Sequence, residues 1–187
     1  MDDPIIKKLI KKYGELEWKS KPKGLFEDLI DAIISQQLSI KASASIFERF
    51  KKLFGKKFPT PKDILKMPDE KLRKVGLSNA KVKYVKSLAE FIETKQLILE
   101  NLNNLNDEEV ISQLTKVKGI GKWTAEMILI FTLKRPNVFS LGDLGLRKAV
   151  SRLYGVDIND FKKIEEISSK WSPNKSLAAR YLWKSLN

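Results

Sequence analysis

Apolar residues recur along this chain at steps of three and four, the spacing that gathers them on one face of a helix. In FEDLIDAIISQQ the stripe is Phe26, Leu29, Ile30, Ile33 and Ile34, and the next segment spaces Ile40, Ala44, Phe47 and Phe50 in the same way. Val82, Val85, Leu88, Ala89 and Ile92 form another stripe, and Val110, Ile111 and Leu114 a shorter one. Leu146, Val150 and Leu153 mark a helix after Asp143, and segments 160–170 and 173–186 complete the set. Thr60-Pro61, Pro68-Asp69, Asn106-Asp107 and Ser172-Pro173 read as N-terminal caps, two of them with proline at the first helical position. No alternating segment is long enough to predict a strand, and no low-complexity linker or long repeat divides the chain. The pattern predicts an all-α fold of about ten short helices.

Composition narrows the partner. At 187 residues the chain can form one good core or two small lobes. Lys and Arg total 36 against 23 Asp and Glu, a net charge of +13. Such an excess favours a polyanion, either nucleic acid or an acidic membrane surface, over a lysine-rich face that is merely solvated. The chain has no cysteine and no histidine, which removes disulfides, thiol catalysis, iron–sulfur clusters and any histidine-based triad or zinc site. Catalysis must then rest on Asp, Glu, Lys, Ser, Thr or Tyr. The N-terminal stretch MDDPIIKKLIKKYGELEW lacks the apolar core of a signal peptide, and no run is long enough to span a bilayer, so an intracellular protein is expected.

Two of the 9 glycines stand one residue apart in VKGIGKWTAEMILIF. LTKVKGIGKWTA reads as the end of one helix, a tight turn and the start of the next. Gly119 and Gly121 can adopt positive φ, and neither carries a Cβ to hold a ligand away. At the following helix start, backbone N–H groups lack intrahelical acceptors and, with the helix dipole, favour an anion. Lys116, Lys118 and Lys122 add positive charge, and the Thr124 hydroxyl is a further donor. The same letters fit a plain helix connection; the three lysines tip the reading towards phosphate. Gln36 and Gln37 end the apolar stripe of their helix. Gln37 falls three residues after Ile34 and is expected to continue the buried face as a polar intruder. A buried amide needs partners, and at a helix end backbone groups can supply them.

LTKVKGIGKWTA resembles the helix-hairpin-helix motif, and its distance to the aspartate in VFSLGDLGLRKAV resembles that of the HhH-GPD superfamily of DNA base-excision glycosylases. AIISQQLS, GLSNAKVKYVKSLA and KWSPNKSLAARYLW are similar to the alkylpurine branch, the 3-methyladenine DNA glycosylase II (AlkA/Mag) type, in a compact form without the extra N-terminal domain. The resemblance spans roughly residues 24–186. It implies a two-lobed helical fold: a central lobe of residues 33–130, a terminal lobe of 1–32 with 131–187, and a helix-hairpin-helix at 107–133. The hairpin and Asp143 would flank one cleft.

The resemblance also assigns roles. Asp143 lies 22 positions after Gly121, and in LGDLGLR the local letters alone fit an ordinary N-cap aspartate equally well. By family it stabilises the positive charge that develops on the deoxyribose and orients or deprotonates the attacking water. Trp123 stands where lyase members carry a nucleophilic lysine, which implies a monofunctional enzyme without β-elimination. Lys122 is adjacent, but successive helix residues point about 100° apart. Trp123 and Trp183 match pocket tryptophans whose faces favour a cationic base by roughly 0.5–2 kcal/mol; the alternative for both is an ordinary core position. Met127 replaces the tyrosine of the bacterial type in that pocket. Gln37, with Gln36 beside it, matches the residue that inserts into the duplex. Gly119, Gly121, Lys122 and Thr124 would hold phosphate, and Lys74, Lys81 and Lys83 would meet the DNA backbone near GLSNAK. Main-chain carbonyls of Thr115, Val117 and Ile120 match a site for a monovalent cation. Trp171 and Tyr181 are assigned to the core.

The implied activity is hydrolytic excision of alkylated purines from double-stranded DNA by a monomer, 3-methyladenine first, with 7-methylguanine or hypoxanthine as further substrates. No catalytic metal, organic cofactor or iron–sulfur cluster is expected. Two rivals fit the same letters: a non-catalytic helix-hairpin-helix DNA-binding protein, and a glycosylase of this fold acting on oxidised or deaminated bases.

Overall fold

The computed structural model describes residues 2–16 and 24–186, and every regular element among them is helical. In chain order these are α1 (Pro4–Tyr13), α2 (Leu25–Ser35), α3 (Ile40–Leu53), α4 (Pro61–Lys66), α5 (Asp69–Lys74) and α6 (Asn79–Glu93). A 3₁₀ turn (Leu99–Asn104) leads into α7 (Asp107–Thr115) and α8 (Lys122–Met127), which runs on as a π-helical turn (Ile128–Thr132). Three helices close the chain: α9 (Leu144–Tyr154), α10 (Phe161–Ser169) and α11 (Lys175–Lys184). Among the described residues no helix is long and apolar enough to cross a membrane.

The chain divides into two compact units, one formed by Pro22–Ile128 and the other by Met1–Lys21 with Leu129–Asn187. The boundary expected at residue 33 would have cut α2. That helix is continuous from Leu25 to Ser35 and packs on α3 and α6, so all of it goes with the middle unit.

In the middle unit α6 lies against α2, α4 and α5. Leu29, Ile30, Ile33 and Ile34 of α2, with Val82, Val85, Leu88 and Ala89 of α6, are buried as their stripes predict. Each such side chain contributes about 1.5–3 kcal/mol of burial free energy if it is Val, Leu or Ile. The stripe assigned to α3 needs correction. Phe47 and Phe50 are buried, but Ile40 is 90% exposed and Ala44 is exposed too; Ser43 takes the inward position instead. Positions 40, 44, 47 and 43, 47, 50 are two helical phases that share Phe47, and the sequence pattern does not choose between them. Thr60 and Asn106 form reciprocal capping boxes with Asp63 and Glu109, which sets the starts of α4 and α7. Pro68 precedes α5 without a side-chain cap.

In the other unit α11 packs on α1 and α9, around Ile6, Leu146, Val150, Ile164, Ala179 and Leu182. Trp171 and Tyr181 are buried there, as assigned. Helix α11 starts at Lys175 behind Asn174, so Ser172-Pro173 is not its cap. Asp3 caps α1 through Ile5 N at 2.9 Å and Ile6 N at 3.0 Å. The same carboxylate accepts from Tyr154 OH at 2.9 Å and Trp171 Nε1 at 3.1 Å. Tyr181 OH donates to Gly14 O at 2.7 Å, a second tie between the start and the end of the chain.

Candidate functional site

The middle unit carries the hairpin. α7 ends at Thr115, and two tight turn bonds follow: Val117 N to Leu114 O at 3.1 Å and Ile120 N to Val117 O at 3.0 Å. Gly119 has φ +93°, and a Cβ there would fall inside the Tyr84 ring. Both backbone and packing therefore demand glycine. Gly121 does not use its freedom to take positive φ. Its φ of −93° and ψ of 173° are extended, and a Cβ would meet nothing within 4 Å. It is the N-cap of α8 and offers no side-chain acceptor to that helix, so nothing in the protein itself calls for glycine there. Lys116, Lys118 and Lys122 are all exposed around the turn.

Thr124 is a correction. It is 4% exposed, and its Oγ1 accepts a long bond from Gln36 Nε2 at 3.5 Å, so the hydroxyl braces the hairpin from inside. Gln36 Nε2 also donates to Gly119 O at 2.8 Å. Gln37 does not continue the buried face. α2 stops at Ser35, Gln36 turns away with ψ 129°, and Gln37 sits exposed at φ 56°, so the helical phase never reaches it. Leu38 and Ile40 are exposed beside it. Lys81 does not point to solvent as a phosphate ligand would. Its Nζ donates to Ile34 O at 2.7 Å and Gln36 O at 2.8 Å, and burial holds its pKa below the usual lysine value. Lys74 and Lys83 are exposed.

On α8, Trp123 is 46% exposed, which removes the core alternative for it, and Met127 is half-buried. Glu126, not singled out in the sequence, is buried with its Oε1 4.0 Å from Lys122 Nζ. That acid lies one helical turn past Lys122, a spacing of four that was legible.

The other unit carries Asp143. Its Oδ1 accepts from Leu146 N at 2.7 Å, the ordinary N-cap bond of α9. The same oxygen accepts from Trp183 Nε1 at 3.0 Å, which capping does not require. Gly145 makes room for this: a Cβ there would lie 3.0 Å from Asp143 Oδ1 and 3.4 Å from the indole. Trp183 is half-buried rather than a core residue, and Phe131 lies beside it with ring centroids 5.6 Å apart and planes 30° off parallel. Phe131 is 45% exposed. Sequence reading missed it because ILIF is apolar all round, so no stripe marks which residue faces out. Among the described residues no cluster of His, Cys, Asp or Glu is arranged to hold a metal ion.

A hairpin turn that forbids a side chain at Gly119, followed 22 positions after Gly121 by an aspartate held on two N–H donors, suits a base-excision repair protein. The family model for HhH-GPD superfamily base excision DNA repair proteins matches residues 30–174, and the chain belongs to that superfamily. It is 38% identical over 191 residues to DNA-3-methyladenine glycosylase 1 of Schizosaccharomyces pombe, covering 97% of this chain and 82% of that one. The solved structure of a 3-methyladenine DNA glycosylase from the same yeast, in complex with abasic DNA, matches with a TM-score of 0.87 at 37% identity, over 98% of this chain and 92% of that one. A DNA-3-methyladenine glycosidase structure from Bacillus halodurans matches with a TM-score of 0.87 at 37% identity, over 98% and 84%.

Proposed function

We propose that this chain is a monofunctional DNA glycosylase that hydrolyses the N-glycosidic bond of alkylated purines in duplex DNA, 3-methyladenine first. The observation that carries the proposal is the Asp143 carboxylate, fixed by Leu146 N and Trp183 Nε1 beside the ring of Phe131. A carboxylate oriented in this way meets positive charge as it develops on the sugar without reorganising at that moment. The C1′–N bond breaks, and the base departs with the bonding electrons. An alkylated purine is already cationic, so it leaves neutral and needs no strong general acid, which suits a chain without histidine. Water then adds at C1′ and loses a proton to Asp143 or to solvent, leaving an abasic site.

Binding rests on other residues. Gly121 gives a phosphate close approach to the backbone, and Lys118 and Lys122 supply charge. Gln37, exposed on its turn, enters the gap left by the extruded nucleotide. Trp123, and the Trp183 and Phe131 pair, offer aromatic faces that favour a cationic base. Met127 in place of a tyrosine gives the pocket a different surface from that of the bacterial type. Trp123 cannot form a Schiff base, so borohydride should trap no covalent DNA adduct. The carbonyls of Thr115, Val117 and Ile120 are neutral oxygens, and the one of Val117 keeps a second lone pair beside its bond from Ile120 N, a donor set that suits a monovalent cation. The protein acts as a monomer.

The test is chromatography of bases released from methylated duplex by wild type and Asp143→Asn. Released 3-methyladenine from wild type, lost in the variant while binding to abasic DNA persists, is the expected result. Binding without release by wild type would favour a non-catalytic DNA-binding protein. Faster release of an oxidised or deaminated base in competition would favour a different lesion class.

A further inference from the structure

We propose that Lys81 is a positioning residue that locks the duplex-inserting turn to the hairpin, and does not contact DNA phosphate. Lys81 lies in the first turn of α6, where its own N–H is bonded by the Ser78 side chain at 3.2 Å. Its side chain reaches back 47 and 45 positions to the end of α2 and donates to Ile34 O and Gln36 O. Helix C-termini leave carbonyls without intrahelical partners, and a cation there also meets the negative end of the dipole. The next residue, Gln37, is held at φ 56°, a conformation that non-glycine residues seldom adopt. The peptide entering that strained position is the one whose carbonyl Lys81 grips.

Gln36 completes the link from its other end: its backbone carbonyl accepts from Lys81, and its side-chain amide donates to Gly119 O. One ammonium and one amide thus join α6, the turn bearing Gln37 and Leu38 ahead of α3, and the phosphate hairpin, all inside the middle unit. Thr124, under the same amide, closes the arrangement. An insertion residue is effective only if its backbone is already placed when the base leaves the stack, because ordering it at that moment would add to the cost of flipping. This inference rests on the glycosylase reading given above.

The experiment compares wild type, Lys81→Met and Gln36→Leu. Its readouts are single-turnover excision from methylated duplex, fluorescence of 2-aminopurine placed beside the lesion, and the salt dependence of binding to abasic duplex. Removing a lysine that touches phosphate lowers the slope of log K against log salt by about 1. Lys81→Met is expected to keep the wild-type slope, while excision falls by about tenfold and the fluorescence rise shrinks. Gln36→Leu should do the same, and the double variant should lose less than the product of the two, since both act through one turn. Lys83→Met, at an exposed lysine read as meeting the DNA backbone, is the positive control for a slope lowered by about 1. A slope reduced by about 1 in Lys81→Met, or undiminished excision and fluorescence, overturns the proposal. Absence of excision in wild type would sink the glycosylase reading instead, with slope and fluorescence still deciding the role of Lys81. If Lys81→Met does not fold, Gln36→Leu decides: unchanged excision and fluorescence there overturn the proposal as well.

Discussion

The indole N–H of Trp183 donates to Asp143 Oδ1 at 3.0 Å, across 40 positions of sequence. An aspartate that only capped α9 would need Leu146 N alone. The second donor gives that oxygen two N–H partners from different elements, and the Phe131 ring lies beside the indole. Trp183→Phe keeps an aromatic ring and removes the donor. Single-turnover excision should fall about 10- to 100-fold, the worth of one charge-assisted hydrogen bond. Affinity for abasic DNA should stay within a few-fold of wild type by anisotropy. Wild-type excision by this variant would show that the indole does not position the acid.

The paired glycines should separate in their effects. Gly119→Ala pushes a methyl into Tyr84 at a positive φ, which should cost about 2–5 kcal/mol of stability. Gly121→Ala has open space and ordinary dihedrals, so stability should change by no more than about 1 kcal/mol. On the proposed reading DNA affinity should nonetheless drop, because the methyl would fill the open space assigned to a phosphate. Thermal melts read beside anisotropy titrations would expose equal behaviour of the two, contrary to this account.

Thr124 and Lys122 make a similar pair. Thr124→Val loses an internal bond and should cost about 0.5–1.5 kcal/mol of stability with the salt dependence of DNA binding unchanged. Lys122→Met should leave the melt nearly unchanged and reduce the salt slope by about 1. A lowered slope in Thr124→Val would restore its hydroxyl as a phosphate donor.

Acid should loosen the terminal unit through Asp3. Burial by itself would raise its pKa, but the donors Ile6 N, Trp171, Tyr154 and Ile5 N together hold it below the ordinary 3.8. A carboxyl lowered on folding adds stability above the unfolded value, and that stability is lost as pH falls below it. Wild type should lose melting temperature below about pH 4, and Asp3→Asn should start less stable and fall less steeply there. Parallel curves for the two proteins would rule Asp3 out as a source of the acid sensitivity.

Much of this molecule is legible in local sequence, since helix formation answers to residues three and four positions apart. The α2 and α6 stripes, the capping boxes at Thr60 and Asn106, the hairpin at Gly119 and the cap at Asp143 all rest on neighbours within a turn or two. Local signals failed where two phases fitted equally, as at Ile40 and Ala44, and where a helix ended early, as at Ser35 before Gln37. Tertiary structure alone decided which partners the polar side chains met across distant segments. Lys81 gripping the end of α2, Gln36 reaching Gly119 O and Trp183 holding Asp143 bridge 45, 83 and 40 positions. A hydrogen bond needs its donor within about 3 Å of the acceptor, and no periodicity along a chain records where distant segments come that close.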